Sequence, residues 1–405
     1  MLKPTFTPSI FMKTRIKILV YLAVLMDVIS IGIYIPALEK LVDRYQVSPF
    51  MIGLGLSLYS LCAFFATPIL GQLSDRYGRK WLLIACIIGT ALSYLMLLGH
   101  HSFIIFLISR VINGITGGNF SILQATISDI SVDDADRKKN FGLMGGLFGL
   151  GFIIGPAVWS LALGRGDAQT VFIIGAVLAL LDALLMIAYL TETHKSKKPS
   201  LVIDLSSVKT IRKYLQNKNI SRYLRSLIII GIGVFSYQSV LSIETEQHYG
   251  IGGDYYGYIL AGVGIITAIN MGVLLGKFWI KRFTTRQLIT IAHIGLGIVL
   301  AGLTINGVMP TGSFWVFLVL IIVQPVFNTI LGPVYQGEII AHSDPEKTGE
   351  LTGVMSSIQT MSMIVWPVIG GILLNLNLPL YIVALLCAVW SFIVMSVPHR
   401  KRQVA

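Results

Sequence analysis

The stretch Gly71-Gln72-Leu73-Ser74-Asp75-Arg76-Tyr77-Gly78-Arg79-Lys80 occupies a very short polar gap between two apolar runs of membrane-spanning length. It contains three cations beside a single carboxylate, with a glycine near each end for close backbone approach. Two spanning helices joined by so short a turn can project only this knot of charge into water. Such a knot either latches one helix end to a neighbour or serves as a plain positively charged turn.

The rest of the chain fits a membrane setting. Of its 405 residues 55% are hydrophobic and 12% charged, with mean hydropathy +0.78, whereas soluble domains carry roughly 25% charge. Spans of about 20 apolar residues are expected near 16–38, 50–70, 81–99, 103–126, 140–164, 170–191, 225–243, 256–279, 288–308, 313–334, 351–374 and 379–397. That makes twelve, with both termini on one side. Charge tests the count: all of the 31 Lys and Arg residues except Lys40, Arg44, Arg110 and Arg165 fall on the side that holds the termini. The positive-inside rule makes that side cytoplasmic. The formal charge of +12 then reflects anionic lipid headgroups, and no nucleic-acid partner is expected. The first apolar run is too long for a leader and lacks a small-residue cleavage site, so it reads as the first span. Cys62, Cys86 and Cys387 fall inside spans without metal-like spacing and read as packing thiols.

The longest polar stretch, 192–224, divides the spans six and six. The expected organisation is a six-helix bundle over 1–191, a cytoplasmic linker over 192–224 and a second six-helix bundle over 225–405. Within the linker, Val202, Leu205, Val208, Ile211 and Leu215 recur at helical spacing among Lys209, Arg212 and Lys213. The pattern fits a short interfacial helix or a flexible linker. A single offset pairs Gly142 with Gly353, Met144 with Met355 and Pro156 with Pro367, the mark of an internal repeat. A similar offset sets Gly71 above Gly276, followed by Lys281, Arg282 and Arg286 as a copy of the charge knot without its Asp.

The pattern G-x-x-x-D-x-x-G-R-K of residues 71–80 resembles the loop signature of the major facilitator superfamily. Four further segments are similar to its twelve-helix drug:proton antiporter branch, which includes the tetracycline exporters. They are Asp27 to Pro36 (D-x-x-x-x-G-x-x-x-P), Arg110 to Gly114 (R-x-x-x-G), Gly151 to Pro156 (G-x-x-x-G-P), and Gly349 to Gly353 with Pro367 beyond. The resemblance implies an all-α integral membrane protein whose two pseudo-symmetric halves bind substrate near the bilayer midplane. It also implies a conformational latch at Gly71, Asp75, Gly78, Arg79 and Lys80. The glycine pair usual after the helix 5 proline is replaced here by Trp159 and Ser160.

Each segment has a physical reading of its own. Gly151 and Gly155 give helix 5 a smooth face and Pro156 lets it bend, which suits either a moving wall or a static packing motif. Asp27 lies roughly 15 Å into a core about 30 Å thick. A carboxyl at that depth tends to stay neutral until water or a cation reaches it, as a proton-coupling site requires. Arg110, entering from the opposite face, lies at a similar depth, so the two could form either a coupling pair or a structural ion pair. Tyr34, Asn113, Asn119, Gln124, Tyr237, Gln238, Gln324, Asn328, Gln359 and Trp366 stand on helices that line the cavity in this fold, offering aromatic faces and uncharged hydrogen-bonding groups. For each of them an interhelical hydrogen bond is an equal alternative. Asp182 reads as an interhelical residue, and Glu244 and Glu246, at the outer end of helix 7, read as solvent-exposed.

These features point to a proton-coupled exporter of small amphiphilic or drug-like molecules working by alternating access. A dedicated metabolite or siderophore exporter, or a proton-coupled importer, is the alternative. Helices 3 and 9 carry no acid, which argues against metal-chelated tetracycline as the main substrate. No phosphate-binding G-x-x-x-x-G-K-[ST] occurs and no ligand-spaced His/Asp/Glu cluster lies at midplane. The chain therefore reads as a transporter rather than an enzyme, without cofactor or metal. The expected partners are a small-molecule substrate, protons and the lipid bilayer, with the chain a monomer in a bacterial cytoplasmic membrane.

Overall fold

The computed structural model describes residues 10–99, 101–163, 168–193, 207–217, 220–238, 240–309, 312–342 and 348–396. Every regular element among them is helical. In chain order they are α1 (Ile10–Tyr34), α2 (Leu38–Tyr45), α3 (Pro49–Tyr77), α4 (Arg79–Leu95), α5 (Phe103–Thr116), α6 (Asn119–Ile130) and α7 (Asp134–Val158), which widens into a π-helical turn over Trp159–Leu163. Next come α8 (Ala168–Tyr189), α9 (Ser207–Gln216), α10 (Ser221–Gln238), α11 (Leu241–Tyr249) and α12 (Gly253–Ile269), with a second π-helical run over Asn270–Trp279. The chain continues through α13 (Ile280–Arg282), α14 (Thr285–Val308), α15 (Phe314–Ala341), α16 (Thr348–Asn375) and α17 (Ile382–Ser396).

Apolar sequence without water to satisfy its backbone has little choice but the helix. A helix overlaps each of the twelve expected spans. Among the described residues nine helices are long and apolar enough to cross a bilayer, or ten if α10 and α11, bent by 46°, form one span. Polar residues set several boundaries. Asp133 caps α7 by accepting a hydrogen bond from the Asp136 backbone N–H at 2.7 Å. Thr284 and Gln287 exchange bonds in a capping box that starts α14.

The chain forms two compact units: residues 1–37 with 61–204, and residues 38–60 with 205–405. In the first unit, α1 packs along α7 and α8, and α8 packs against α4. Their shared core includes Val20, Val24 and Val28 of α1, Leu83 and Ile87 of α4, and Ala179 and Met186 of α8. In the second unit, α10 packs against α16 and α17, and α14 against α15 and α17. His293 links three of these helices, bonding Ser391 at 2.8 Å and Tyr335 at 3.2 Å. Residues 38–60 belong to the second unit through close backbone packing. A side chain at Gly53 would begin 2.2 Å from the Pro367 carbonyl oxygen, and one at Gly371 would begin 2.6 Å from the Phe50 Cα.

The expected linker helix exists as α9, with Ile211 and Tyr214 buried where it packs on α10 and α16. Its apolar side is thus used inside the second unit rather than left for lipid. Val202 and Leu205 lie outside the described residues, as do Arg165 and Lys347.

Candidate functional site

Residues 71–80 form no loop in the ordinary sense. Helix α3 continues to Tyr77 and α4 starts at Arg79, leaving Gly78 as a one-residue break with φ at 99°. Only glycine enters that conformation without strain. A Cβ at Gly78 would also lie 2.4 Å from Glu192 Oε2. Gly71, by contrast, is helical with only Ser121 Oγ near, at 3.9 Å, so the expected close approach belongs to Gly78 alone.

With no side chain at Gly78 to cap α4, Glu192 supplies the cap from beyond the end of α8. Its carboxylate accepts from the backbone N–H of Arg79 at 2.8 Å and of Lys80 at 3.2 Å. Arg79 is buried at the centre of the junction. Its guanidinium reaches Asp75 at 2.6 Å and Asp129 at 3.1 Å, and donates to Ser74 Oγ. Thr193 donates to the same Asp129 oxygen at 3.3 Å. Lys80 donates to the Ile187 carbonyl at 3.1 Å. One arginine therefore gathers α3, α4 and α6 at one end of the first unit, and the cap adds the segment after α8.

Helix α1 runs beside α7 along a seam that changes character over its length. At one end Lys17 pairs with Asp136 at 2.8 Å, and one turn further Tyr21 donates to Asn140 at 3.0 Å. The Lys17 ammonium holds the Asp136 carboxyl below its ordinary range. Further along, a Cβ at Gly151 would meet Val28 Cβ at 2.6 Å, and one at Gly155 would meet the Gly32 Cα at 2.6 Å. Backbone touches backbone there, and Pro156 and the π-helical turn follow directly.

Asp27 sits on α1 just before the glycine end of this seam. It is half-buried and accepts a hydrogen bond from Asn119 Nδ2 at 2.8 Å. Arg110 does not pair with it. The buried guanidinium lies over Tyr34, Phe106 and Tyr94, at 5.0, 5.5 and 5.9 Å from their ring centres, and donates to Ser109 at 3.1 Å. Aromatic faces accommodate this charge in place of a carboxylate. The structure thus brings Asp27 together with Asn119, and Arg110 together with Tyr34. Asn113, also buried, hydrogen-bonds Tyr94.

The remaining predicted cavity residues divide. Tyr237 and Gln324 are buried, Asn328 and Trp366 are half-buried, and Gln124, Gln238 and Gln359 are exposed. The expectation of a solvent-exposed Glu244 is corrected: it is buried and accepts a 2.7 Å hydrogen bond from Tyr381, while Glu246 is exposed. The bend between α10 and α11 turns Glu244 inward, a feature with no local sequence mark. Sequence reasoning also missed Asn270. It is buried at the start of the second π-helical run, donates to the Val326 carbonyl at 2.9 Å and to Thr329 at 2.7 Å, and accepts from Trp279 at 2.9 Å.

Known proteins are similar to this chain in sequence and in fold. Residues 20–309 match the family model described as Major Facilitator Superfamily. The chain is 28% identical over 365 residues to the class C tetracycline resistance protein of Escherichia coli, covering 88% of this chain and 89% of that one. It is 24% identical over 355 residues to multidrug resistance protein 2 of Bacillus subtilis, covering 86% of each. Among solved structures, the human organic anion transporter MFSD10 superposes with a TM-score of 0.67 at 19% identity, over 97% of this chain and all of that one. The nucleoside transporter NupG superposes with a TM-score of 0.72 at 15% identity, over 95% of this chain and 97% of that one.

Proposed function

The chain belongs to the major facilitator superfamily, and on that premise we propose that it is a proton-coupled exporter of small amphiphilic or drug-like molecules. The observation that carries the reading is Asp27, a half-buried carboxylate within a membrane span, held by one neutral amide and by no ion pair among the described residues. A carboxyl so placed exchanges its proton when water or a cationic substrate reaches it and otherwise stays neutral. Arg110 is packed among aromatic rings on a neighbouring helix and leaves Asp27 to its single amide partner. Tetracycline and multidrug resistance proteins among the relatives support export over import.

Alternating access then works as follows. The junction around Arg79 holds the cytoplasmic end closed in the outward-facing state. The Gly32–Gly155 contact allows α1 and α7 to slide, and Pro156 with the following π turn absorbs the bend. In this reading the chain is organised as two six-helix bundles divided at 192–224, in a bacterial cytoplasmic membrane, with both termini in the cytoplasm and the chain acting as a monomer. Helices α4 and α14 carry no acid, so neutral or singly charged amphiphiles fit better than a metal–tetracycline chelate.

Everted membrane vesicles test the reading. Substrate uptake should require an imposed pH gradient and collapse when the gradient is dissipated. In Asp27→Asn, gradient-driven uptake should vanish while the purified protein unfolds at an unchanged temperature. Full gradient-driven uptake by a well-expressed Asn variant would remove Asp27 from the mechanism.

A further inference from the structure

One acid of the first unit has no place in the scheme above. Asp182 on α8 is 1% exposed, and among the described residues neither of its carboxyl oxygens has a hydrogen-bond partner. Its helical neighbours Ala179, Ala183 and Met186 lie in the core shared with Val24 and Val28 of α1 and with Cys86 and Ile87 of α4. Asp182 is therefore directed into the junction of α1, α4 and α8 and away from lipid. Asp27 also stands on α1, between Val24 and Val28, and the two carboxyls are close enough for their charges to interact. The other titratable and charged groups around the pair are Cys86 and Tyr94 on α4, with Arg110 of α5 beyond Tyr94.

An ionised carboxylate without a donor is among the costliest groups to bury. A leucine would fill the same position at no such cost. A polar group retained there without a partner has no architectural task, since it bonds nothing. What a carboxyl can do that leucine or asparagine cannot is take up and release a proton. A metal cation fits poorly, because hard cations need a shell of several oxygen ligands and the neighbours of Asp182 are alanine and methionine.

We propose that Asp182 is a second proton-carrying site, linked to Asp27 through their charges, so that each transport cycle moves a proton on each acid. The inference rests on the proton-coupled reading given above. Like charges in one apolar core do not ionise together cheaply, so the pair releases its protons in succession. Asp27, half-buried and bonded to Asn119, is the acid that water or substrate reaches directly. Asp182, 1% exposed, exchanges its proton only when the packing of α1, α4 and α8 opens. Nothing but protons is exchanged, so the step balances with the substrate moving in the opposite direction.

The test counts protons. In proteoliposomes holding the full chain, the ratio of protons to a neutral substrate should be two for the wild type and one for Asp182→Asn, with Asp182→Glu restoring two. With a pH difference of one unit and no membrane potential, the substrate gradient should reach about 100-fold for the wild type and about tenfold for Asp182→Asn. A ratio of one in the wild type that is unchanged in Asp182→Asn overturns the proposal. Infrared difference spectra of the purified protein between low and high pH separate this failure from failure of the transport reading, because they need no transport. In a Glu244→Gln background, which removes the other buried carboxyl, two protonated-carboxyl bands should titrate, one removed by Asp27→Asn and the other by Asp182→Asn. Should the Asp182→Asn variant not fold, Glu244→Gln with and without Asp27→Asn suffices: no titrating carboxyl band left once both acids are replaced sinks the idea.

Discussion

The junction at 71–80 and the stretch at 276–286 that matches it in sequence offset are built from different materials. In the first, a buried arginine draws Asp75, Asp129 and Ser74 together while Glu192 caps the next helix. In the second, Lys277, Lys281, Arg282 and Arg286 are exposed, and none forms an ion pair among the described residues. Order nearby comes from neutral bonds, where Asn270 links Trp279 of its own π-helical run to the Val326 carbonyl and Thr329 of α15. An ion-pair junction opens when its charges are pulled apart or protonated. A neutral hydrogen-bonded one has no such trigger. The difference teaches that, under the proposed transport cycle, a latch would have to be the first junction, whereas the second offers only neutral bonds of the kind that suit a strut.

The largest expected effect tests that asymmetry directly. Arg79→Ala removes the centre of a buried charge network, a change worth roughly 3–5 kcal/mol. Transport should fall by well over tenfold, whereas Arg282→Ala should stay close to wild type. Equal losses in vesicle uptake from both would erase the distinction. Next in size is Asn270→Ala, which strands the Trp279 N–H at a cost of about 1–3 kcal/mol. The melting temperature should drop by several degrees with no change in pH dependence, as befits a strut. A shifted pH profile in this variant would mean that the second junction also switches.

Glycine sharpens the contrast further. Gly78→Ala is strained both by its positive φ and by Glu192, and should cost roughly 1–3 kcal/mol, read as a lower melting temperature. Gly276→Ala, with nothing within 4 Å, should be neutral or slightly stabilising. Asp75 is partly exposed, so Asp75→Asn should have a smaller effect, a several-fold shift toward the inward-facing population. Spin-label distances between cytoplasmic helix ends would reveal it, and an unchanged distribution would defeat the latch.

The smallest effect belongs to the half-buried pair Lys17–Asp136, a control for charge outside the fully buried junction. Lys17 depresses the Asp136 carboxyl, so the contact contributes stability above the ordinary carboxylate value of 3.8 and loses it as pH falls through the lowered value. Lys17→Ala should melt slightly earlier than wild type near neutrality and coincide with it in strong acid. A gap that persists in acid would show that the lysine stem, rather than its charge, holds the helices together.

How much of this was legible in the sequence follows from how far each signal reaches. Helix placement depends on local hydropathy, and a helix stands over every expected span. Gly78, Asp75 and Arg79 lie within one short motif and were found together. Asp129 and Glu192, which complete the same junction, are 50 and 113 residues from Arg79 and belong to no local pattern. Depth arithmetic set Arg110 level with Asp27, yet depth along a helix says nothing of azimuth. The guanidinium turns toward Tyr34, Tyr94 and Phe106, and Asn119 takes the place beside the carboxylate. Glu244 was misjudged for a related reason: the bend after Gln238 redirects a helix end that composition alone marks as exposed.

The one-residue break at Gly78 also bears on how this protein can be handled. Surface turns between helices are the usual places to insert an epitope, a protease site or a fluorescent domain. Here the turn has no slack, because the residues on both sides are helical and the next two backbone N–H groups are already bonded to Glu192. Even a short insertion would separate α4 from its cap and move Arg79 off its carboxylates. The exposed stretch beside Lys281 and Arg282 is capped locally, by Thr284 and Gln287 of the following helix itself, so an insertion ahead of Thr284 leaves that cap whole and makes this the better place to splice in a reporter.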